Sequence, residues 1–195
     1  ARPEDAAALL DYLKIVGGET DNLSFGAEDV PLDAAAEQAN LQRQVDSPDN
    51  AQYFDKANGE IIGTVSLNRK PNRMRHRGVV GISLKRAWWG SGAASAMMEA
   101  ILAFARENDF DQLNIEVCSD NIRAVRLYEK FGFRKLCTFP AFFKIDGKNM
   151  EATQSRPDRQ ALLPSQQNRL LSAIYSQRTV HESRHPLVYH RAFAL

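Results

Sequence analysis

The segment Trp88-Trp89-Gly90-Ser91-Gly92-Ala93-Ala94 holds the residue types and spacing that most directly suggest chemistry. It follows Val79-Val80-Gly81-Ile82-Ser83-Leu84, apolar on both faces as a central strand would be. It leads into Ala93, Ala96, Met97, Ala100, Ile101 and Phe104, which recur at helical spacing. A glycine-rich turn between a buried strand and an amphipathic helix aims several free N–H groups, and the positive end of the helix, at one point in space. Such a turn is suited to holding a phosphate. Alone, a Gly-x-Gly turn is equally consistent with a tight bend that binds nothing, so the surrounding elements must decide.

Composition bounds what those elements can be. The chain has 195 residues, 44% hydrophobic and 25% charged, which fits one globular domain and excludes collagen, coiled coil and wholesale disorder as descriptions of the whole. No apolar run approaches the roughly 20 residues of a membrane helix. Net charge is +1, which makes no case for a polyanion partner. The charge is uneven, however: residues 1–150 hold 19 Lys/Arg against 21 Asp/Glu, and residues 151–195 hold 6 Arg against 3 acids with three of the four histidines. That tail lacks Gly and Lys and shows no motif, although Leu162, Leu163, Leu170, Leu171 and Ile174 could form one short helix. The division predicted is a domain over residues 1–153 and an extension over 154–195. Cys118 and Cys137 sit in apolar, strand-like runs and read as buried thiols in a reducing compartment, which predicts a cytoplasmic location.

Along the domain, Ala6, Leu9, Leu13 and Val16 predict a helix begun at Pro3 and stopped by Gly17-Gly18. Pro31 is expected to open a second helix through Leu32, Ala35 and Ala39. From Ala51 the period becomes two, and the Asn58-Gly59 pair, which accepts positive φ at both residues, predicts a hairpin of Ala51–Lys56 with Ile61–Leu67. A further strand is expected at Leu113–Val117. A helix led by Asn121, with Ala124, Leu127, Tyr128 and Phe131 on one face, follows it and closes at Gly132. Phe133–Phe139 and Ala141–Ile145 return as strand before an Asp146-Gly147 turn.

The ordered set of strand, Trp89-Gly90-Ser91-Gly92-Ala93-Ala94, helix, strand and Asn121-Ile122-Arg123-Ala124-Val125-Arg126-Leu127-Tyr128-Glu129-Lys130-Phe131-Gly132-Phe133 resembles the GNAT superfamily of acetyl-CoA-dependent N-acetyltransferases. The first motif resembles that family's Gln/Arg-x-x-Gly-x-Gly/Ala phosphate loop, with Trp89 where the family shows Gln or Arg. The second resembles its Asn-x-x-Ala-x-x-x-Tyr-x-x-x-Gly-Phe helix. The resemblance covers about residues 1 to 150. It implies an α/β (α+β) fold with a mixed, mostly antiparallel central sheet flanked by helices and splayed open to admit acetyl-CoA. The family's first strand, which normally precedes Arg2-Pro3-Glu4-Asp5, is mostly absent, and only Asn149–Thr153 could begin its last strand. The tail reads as a divergent extension or as an altered reading frame.

The resemblance implies transfer of an acetyl group from the thioester directly to a primary amine of a small molecule or peptide. The N–H groups of Trp89, Gly90, Ser91, Gly92, Ala93 and Ala94 would cradle the pyrophosphate, and the backbone of Ile82, Ser83 and Leu84 would pair with the pantetheine arm and offer an N–H to the oxyanion. Tyr128 would protonate the departing thiolate, or else serve as a core aromatic. Asn121 would fix the pantetheine or acetyl end, cap its helix, or both. An alkyl ammonium with a pKa near 10 leaves roughly one molecule in a thousand neutral at pH 7, so a route for its proton is needed. Glu116 is the nearest candidate base, and a solvated or Arg-paired Glu116 is its plain alternative. Glu19 and Asp21, in a loop that commonly borders the acceptor in this family, would attract a cationic amine. Arg69–Arg77 carries five bases and His76, but no aromatics interleave with them, so the segment reads as a solvated loop and not a nucleic-acid surface. Three tail histidines with Pro186 among them make no metal site. A homodimer is plausible for the family. The rival reading is a non-catalytic acyl-CoA-binding regulatory module.

Overall fold

The computed structural model describes residues 1–145 and 147–157, in which four α-helices flank one six-stranded sheet. Asp146, the short helix expected in the tail and the tail histidines lie outside the described residues. Among the described residues no helix is long and apolar enough to cross a membrane.

Helix α1 (Ala6–Glu19) buries Leu9, Tyr12 and Val16 as one stripe. It does not stop at Gly17-Gly18 as expected but runs through both to Glu19. The reason is tertiary: a Cβ at Gly17 would stand 2.9 Å from Gly26 C and Ala27 N, so the missing side chain makes room for a crossing backbone. Helix α2 (Ala34–Val45) also begins later than Pro31. Its start is set by Asp33, whose Oδ1 accepts from Ala35 N at 2.9 Å and Ala36 N at 3.0 Å, two of the N–H groups a helix start leaves unpaired. Leu32, expected on the buried face, precedes that cap and is 80% exposed.

Strands β1 (Asn50–Ala57) and β2 (Glu60–Arg69) form the expected hairpin, with φ of 52° at Asn58 and 84° at Gly59. β2 pairs antiparallel with β3 (Arg77–Leu84), and α3 (Ala93–Glu107) then crosses to β4 (Gln112–Cys118), which lies parallel to β3. After α4 (Ile122–Lys130), β5 (Phe133–Ile145) and β6 (Lys148–Pro157) complete a sheet of order β1-β2-β3-β4-β6-β5. β3–β4 is its parallel junction, and the other pairs are antiparallel. β5 is one strand interrupted where Ala141 takes a φ of 53°, not two separate runs. Because β5 is an edge, Cys137 is exposed there, contrary to the expectation of a buried thiol, whereas Cys118 on the inner strand β4 is buried.

Two cores hold the layers. On one face Met97, Met98, Ile101 and Phe104 of α3 pack with Val65, Leu67, Val80, Leu113, Ile115 and Val117, and Tyr128 of α4 joins them. The stripe on α3 is rotated from the one expected, because Ala96 and Ala100 are exposed while the larger Met98 and Leu102 turn inward. On the other face Leu9, Tyr12, Val16, Leu41 and Ile61 join α1 and α2 to the sheet.

Gly17 and Gly18 allow the packing of α1 to be tested. Alanine in a helix gains up to about 1 kcal/mol over glycine. At Gly18 the added methyl would meet Ala27 Cβ at an ordinary 3.8 Å. At Gly17 it would overlap backbone that cannot yield, a cost of about 1–3 kcal/mol. Urea midpoints should therefore move in opposite directions, up for Gly18→Ala and down for Gly17→Ala.

Candidate active site

The site begins where the sheet comes apart. β3 and β4 pair from Arg77↔Gln112 to Val80↔Ile115 and no further, although β3 continues to Leu84 and β4 to Cys118. On its other side β3 stays paired with β2 to its end, Gly63↔Leu84. The residues Gly81–Leu84 thus form an open lip, and Glu116 is the first residue of β4 beyond the last pair. Ile82, Ser83 and Leu84, expected to face the pantetheine arm, all lie on this lip. The Leu84 carbonyl is bonded by Trp89 Nε1 at 3.0 Å, and Ser83 Oγ bonds Tyr12 Oη at 2.8 Å and Thr64 Oγ1 at 3.1 Å.

Beyond the lip, one short 3-10 turn (Arg86–Trp88) leads into the glycine loop. Gly90 and Gly92 have φ of 83° and 96°, a backbone region that side chains disfavour, and a Cβ on either would meet nothing within 4 Å. The glycines are therefore required by the turn of the chain, and the space before them is open. Of the six N–H groups expected to form the cradle, three are engaged: Trp89 N donates to Arg86 O, Ser91 N to Trp88 O and Ala93 N to Ser91 Oγ. Those of Gly90, Gly92 and Ala94 have no acceptor among the described residues, and they lie at the N-terminus of α3, where the helix dipole favours an anion. The guanidinium groups of Arg123 and Arg86 lie 4.4 and 5.5 Å from the centre of the Trp89 ring, so positive charge flanks the loop.

A cleft of about 540 Å³ opens at Arg86 and Trp89, which follow the lip along the chain, and is walled further by the end of α1, the loop after it, Asp120 and Met150. It contains both acidic residues expected near an acceptor, Glu19 and Asp21. It also contains Asp120, which sequence reasoning missed although it directly precedes Asn121. Glu19 is not simply solvated, because its Oε2 accepts from Arg86 N at 2.6 Å. Burial, reinforced by the carboxylates of Asp120 and Asp21, raises the Cys118 thiol, which keeps it protonated and unreactive near neutrality.

Tyr128 is 6% exposed, its ring centre 6.1 Å from that of Phe133. Burial pushes its phenol well above the ordinary value, and among the described residues its hydroxyl has no hydrogen-bond partner. Asn121 Oδ1 accepts from Ala124 N at 3.2 Å, so Asn121 does cap α4. Glu116 is exposed, and its Oε1 accepts from Gln154 Nε2 at 3.2 Å across the β4–β6 register. Tyr12 is a residue the sequence reading passed over. It is 1% exposed, and burial, opposed by its bonds to Ser83 and Thr64, pushes its phenol up to about 12. Its signal was present, since it lies on the same helical face as Leu9 and Val16.

A phenol whose pKa is raised by folding favours the native state while protonated, so its contribution is complete below about pH 10 and lost as pH rises through the folded value. For Tyr12 the shift from 10.0 to about 12 corresponds to about 2–3 kcal/mol. Urea stability should be level from pH 8 to about 10 and fall steeply toward 12. Tyrosinate absorbance from Tyr12 and Tyr128 should emerge together with unfolding, and early ionisation of these two rings would contradict the burial described.

The model of the acetyltransferase (GNAT) family matches residues 20–133, more than half of the chain. The chain is 29% identical over 115 residues, 57% of its length and 70% of the other's, to the L-amino acid N-acetyltransferase AaaT of Escherichia coli (strain K12). It superposes with a TM-score of 0.76 and 26% identity on an acetyltransferase of the GNAT family from Streptococcus pneumoniae, covering 80% of this chain and 94% of that one. A structure of yncA from Salmonella typhimurium with its cofactor acetyl-CoA shares the fold at a TM-score of 0.71 and 17% identity, over 82% of this chain and 91% of that one. A sheet parted at its parallel junction, a glycine loop with free N–H groups at the part and these matches lead to one assignment: the chain belongs to the GNAT family of acetyltransferases.

Proposed function

We propose that this enzyme transfers an acetyl group from acetyl-CoA directly to a primary amine of a small molecule or peptide, with no covalent enzyme intermediate. The observation that carries the reading is the juxtaposition of two unsatisfied backbone surfaces. The N–H groups of Gly90, Gly92 and Ala94 form an anion cradle, and the open lip Gly81–Leu84 offers backbone to an extended arm. A diphosphate in the cradle would direct its attached arm along the lip. Bound there, acetyl-CoA supplies an activated thioester.

The chain's own groups then have four tasks. The lip backbone holds the arm, and the N–H of Ile82 or Leu84, on the side of β3 away from β2, stabilises the oxyanion formed when the amine attacks. Tyr128, kept neutral by burial and free of a competing acceptor, donates its proton to the leaving thiolate. The Nδ2 of Asn121, whose Oδ1 is engaged in capping, is available to the acetyl end. Glu116, at the mouth of the part, takes the ammonium proton through water, and its bond to Gln154 orients it. Asp21 and Asp120 attract the cationic acceptor, while Glu19 beside them is engaged by Arg86 N. The E. coli relative is named for L-amino acids. With Arg86 beside three carboxylates, the cleft offers both signs that an amino acid presents, so free amino acids head the acceptor panel.

A thiol-release assay over amino acids, polyamines, aminoglycosides and lysine peptides should show turnover on at least one amine. Persistent acetyl-CoA binding without turnover on any of them would favour the binding module. Tyr128→Phe should lower kcat tenfold or more while acetyl-CoA affinity and melting temperature stay put, since the hydroxyl lost has no partner among the described residues. Unchanged kcat would remove Tyr128 from the mechanism. Gly92→Ala imposes strain of about 1–2 kcal/mol at a φ of 96°, and calorimetry should show acetyl-CoA affinity reduced about tenfold as the cradle distorts.

A further inference from the structure

Helix α1 touches the lip and the loop beyond it through two polar contacts. Tyr12 Oη bonds Ser83 Oγ at 2.8 Å, and Glu19 Oε2 accepts from Arg86 N at 2.6 Å. Tyr12 and Glu19 are seven residues apart, two turns of one helical face, which separates them by about 10 Å along the axis. Ser83 and Arg86 are three residues apart in extended chain, which spans about 10 Å. The spacings match. The helix therefore lies along the end of β3 and grips the chain at Ser83 in the lip and at Arg86, where the turn toward the glycine loop begins.

This grip falls where the sheet gives least support. Ser83 lies past the last β3–β4 pair, so one side of its strand has no neighbour to hold it, and the β2 ladder secures only the other side. Gly18 and Glu19 at the end of α1 also wall the cleft beside the lip. One element thus carries part of the cleft wall and both contacts, one to the lip of β3 and one to the turn that follows it.

We propose that Tyr12 and Glu19 are positioning residues that form a two-point clamp, Tyr12 on Ser83 and Glu19 on Arg86 N, fixing the acceptor wall to the lip of β3. The inference rests on the acetyltransferase reading for its kinetic consequence but not for its structural one. It assigns to Glu19 a hydrogen bond that depends on its oxygen, not on its charge. Asp21 and Asp120 are then the acceptor-facing carboxylates. Tyr12 acts through Ser83 and touches no reacting atom.

The test uses the full chain with Tyr12→Phe, Ser83→Ala, Glu19→Ala, Glu19→Gln and the Tyr12→Phe/Glu19→Ala pair. Tyr12→Phe and Ser83→Ala remove the same bond from opposite ends, so either reports on it if the other folds poorly. Each should raise amide exchange over residues 83–88 about tenfold while exchange in the α3 core is unchanged. Each should also lower kcat about tenfold with acetyl-CoA affinity within threefold of wild type. Glu19→Gln, which keeps an accepting oxygen, should leave amide exchange over residues 83–88 within threefold of wild type, whereas Glu19→Ala should raise it about tenfold. The paired variant should be no more than about threefold worse than the poorer single. Unchanged exchange over residues 83–88 in both Tyr12→Phe and Ser83→Ala, or a rise in that exchange for Glu19→Gln as large as for Glu19→Ala, would overturn the clamp. Absence of turnover in the wild type would instead reject the acetyltransferase reading, and the exchange data would still decide the clamp.

Discussion

Four residue pairs join β3 to β4, and the end of that pairing at Val80 and Ile115 is the constraint on which the rest of this molecule depends. Backbone N–H and C=O groups buried without partners are costly, so strands seldom separate in the middle of a sheet. Here the separation is held open by what surrounds it. β2 secures the outer side of β3 through Leu84, and β6 secures β4 from Ile115 to Cys118. Each strand is thus anchored on the side away from the gap, which leaves two facing edges available to something that is not a strand. α1 and α3 pack on opposite faces of the sheet beside this gap.

Electrostatics follow from the same geometry. Because α3 starts just past the end of β3, its unpaired N–H groups and its dipole act at the mouth of the gap, with Arg86 and Arg123 on either side of Trp89. Trp89 does not aim its side-chain N–H at the cradle. Its Nε1 instead locks the Leu84 carbonyl, and its ring faces two guanidinium groups. Asp21, just after α1, and Asp120, between β4 and α4, line the cleft together with Arg86 and Trp89, so it carries charges of both signs. Two phenols, Tyr12 and Tyr128, are kept neutral by burial, but they differ in partners: the first is bonded to Ser83, and the second has none among the described residues.

Much of this was legible in the sequence. The Asn58-Gly59 turn, the glycine loop, the Asn121 cap and the apolar face of α4 all depend on residues within a few positions of one another, and each appears as read. Gly17-Gly18 misled because glycine signals a helix end locally, whereas here a backbone crossing over Gly17 required the missing side chain. Leu32 misled because proline permits a helix start without compelling one, and Asp33 supplied a better cap two residues later. Cys137 misled because an apolar run looks the same in an edge strand as in a central one.

By itself, the sequence determined the order of elements, the family motifs and the chemical character of the loop, since propensity, capping and glycine conformation are short-range properties. Only the tertiary structure decided where β3 and β4 part, which three of six loop N–H groups remain free, and that Asp120 shares a cleft with Glu19 and Asp21. It also joined Tyr12 to Ser83 across 71 residues and Glu19 to Arg86 across 67. Contacts between residues so distant along the chain depend on how whole layers are stacked and in what register, and no local pattern encodes them.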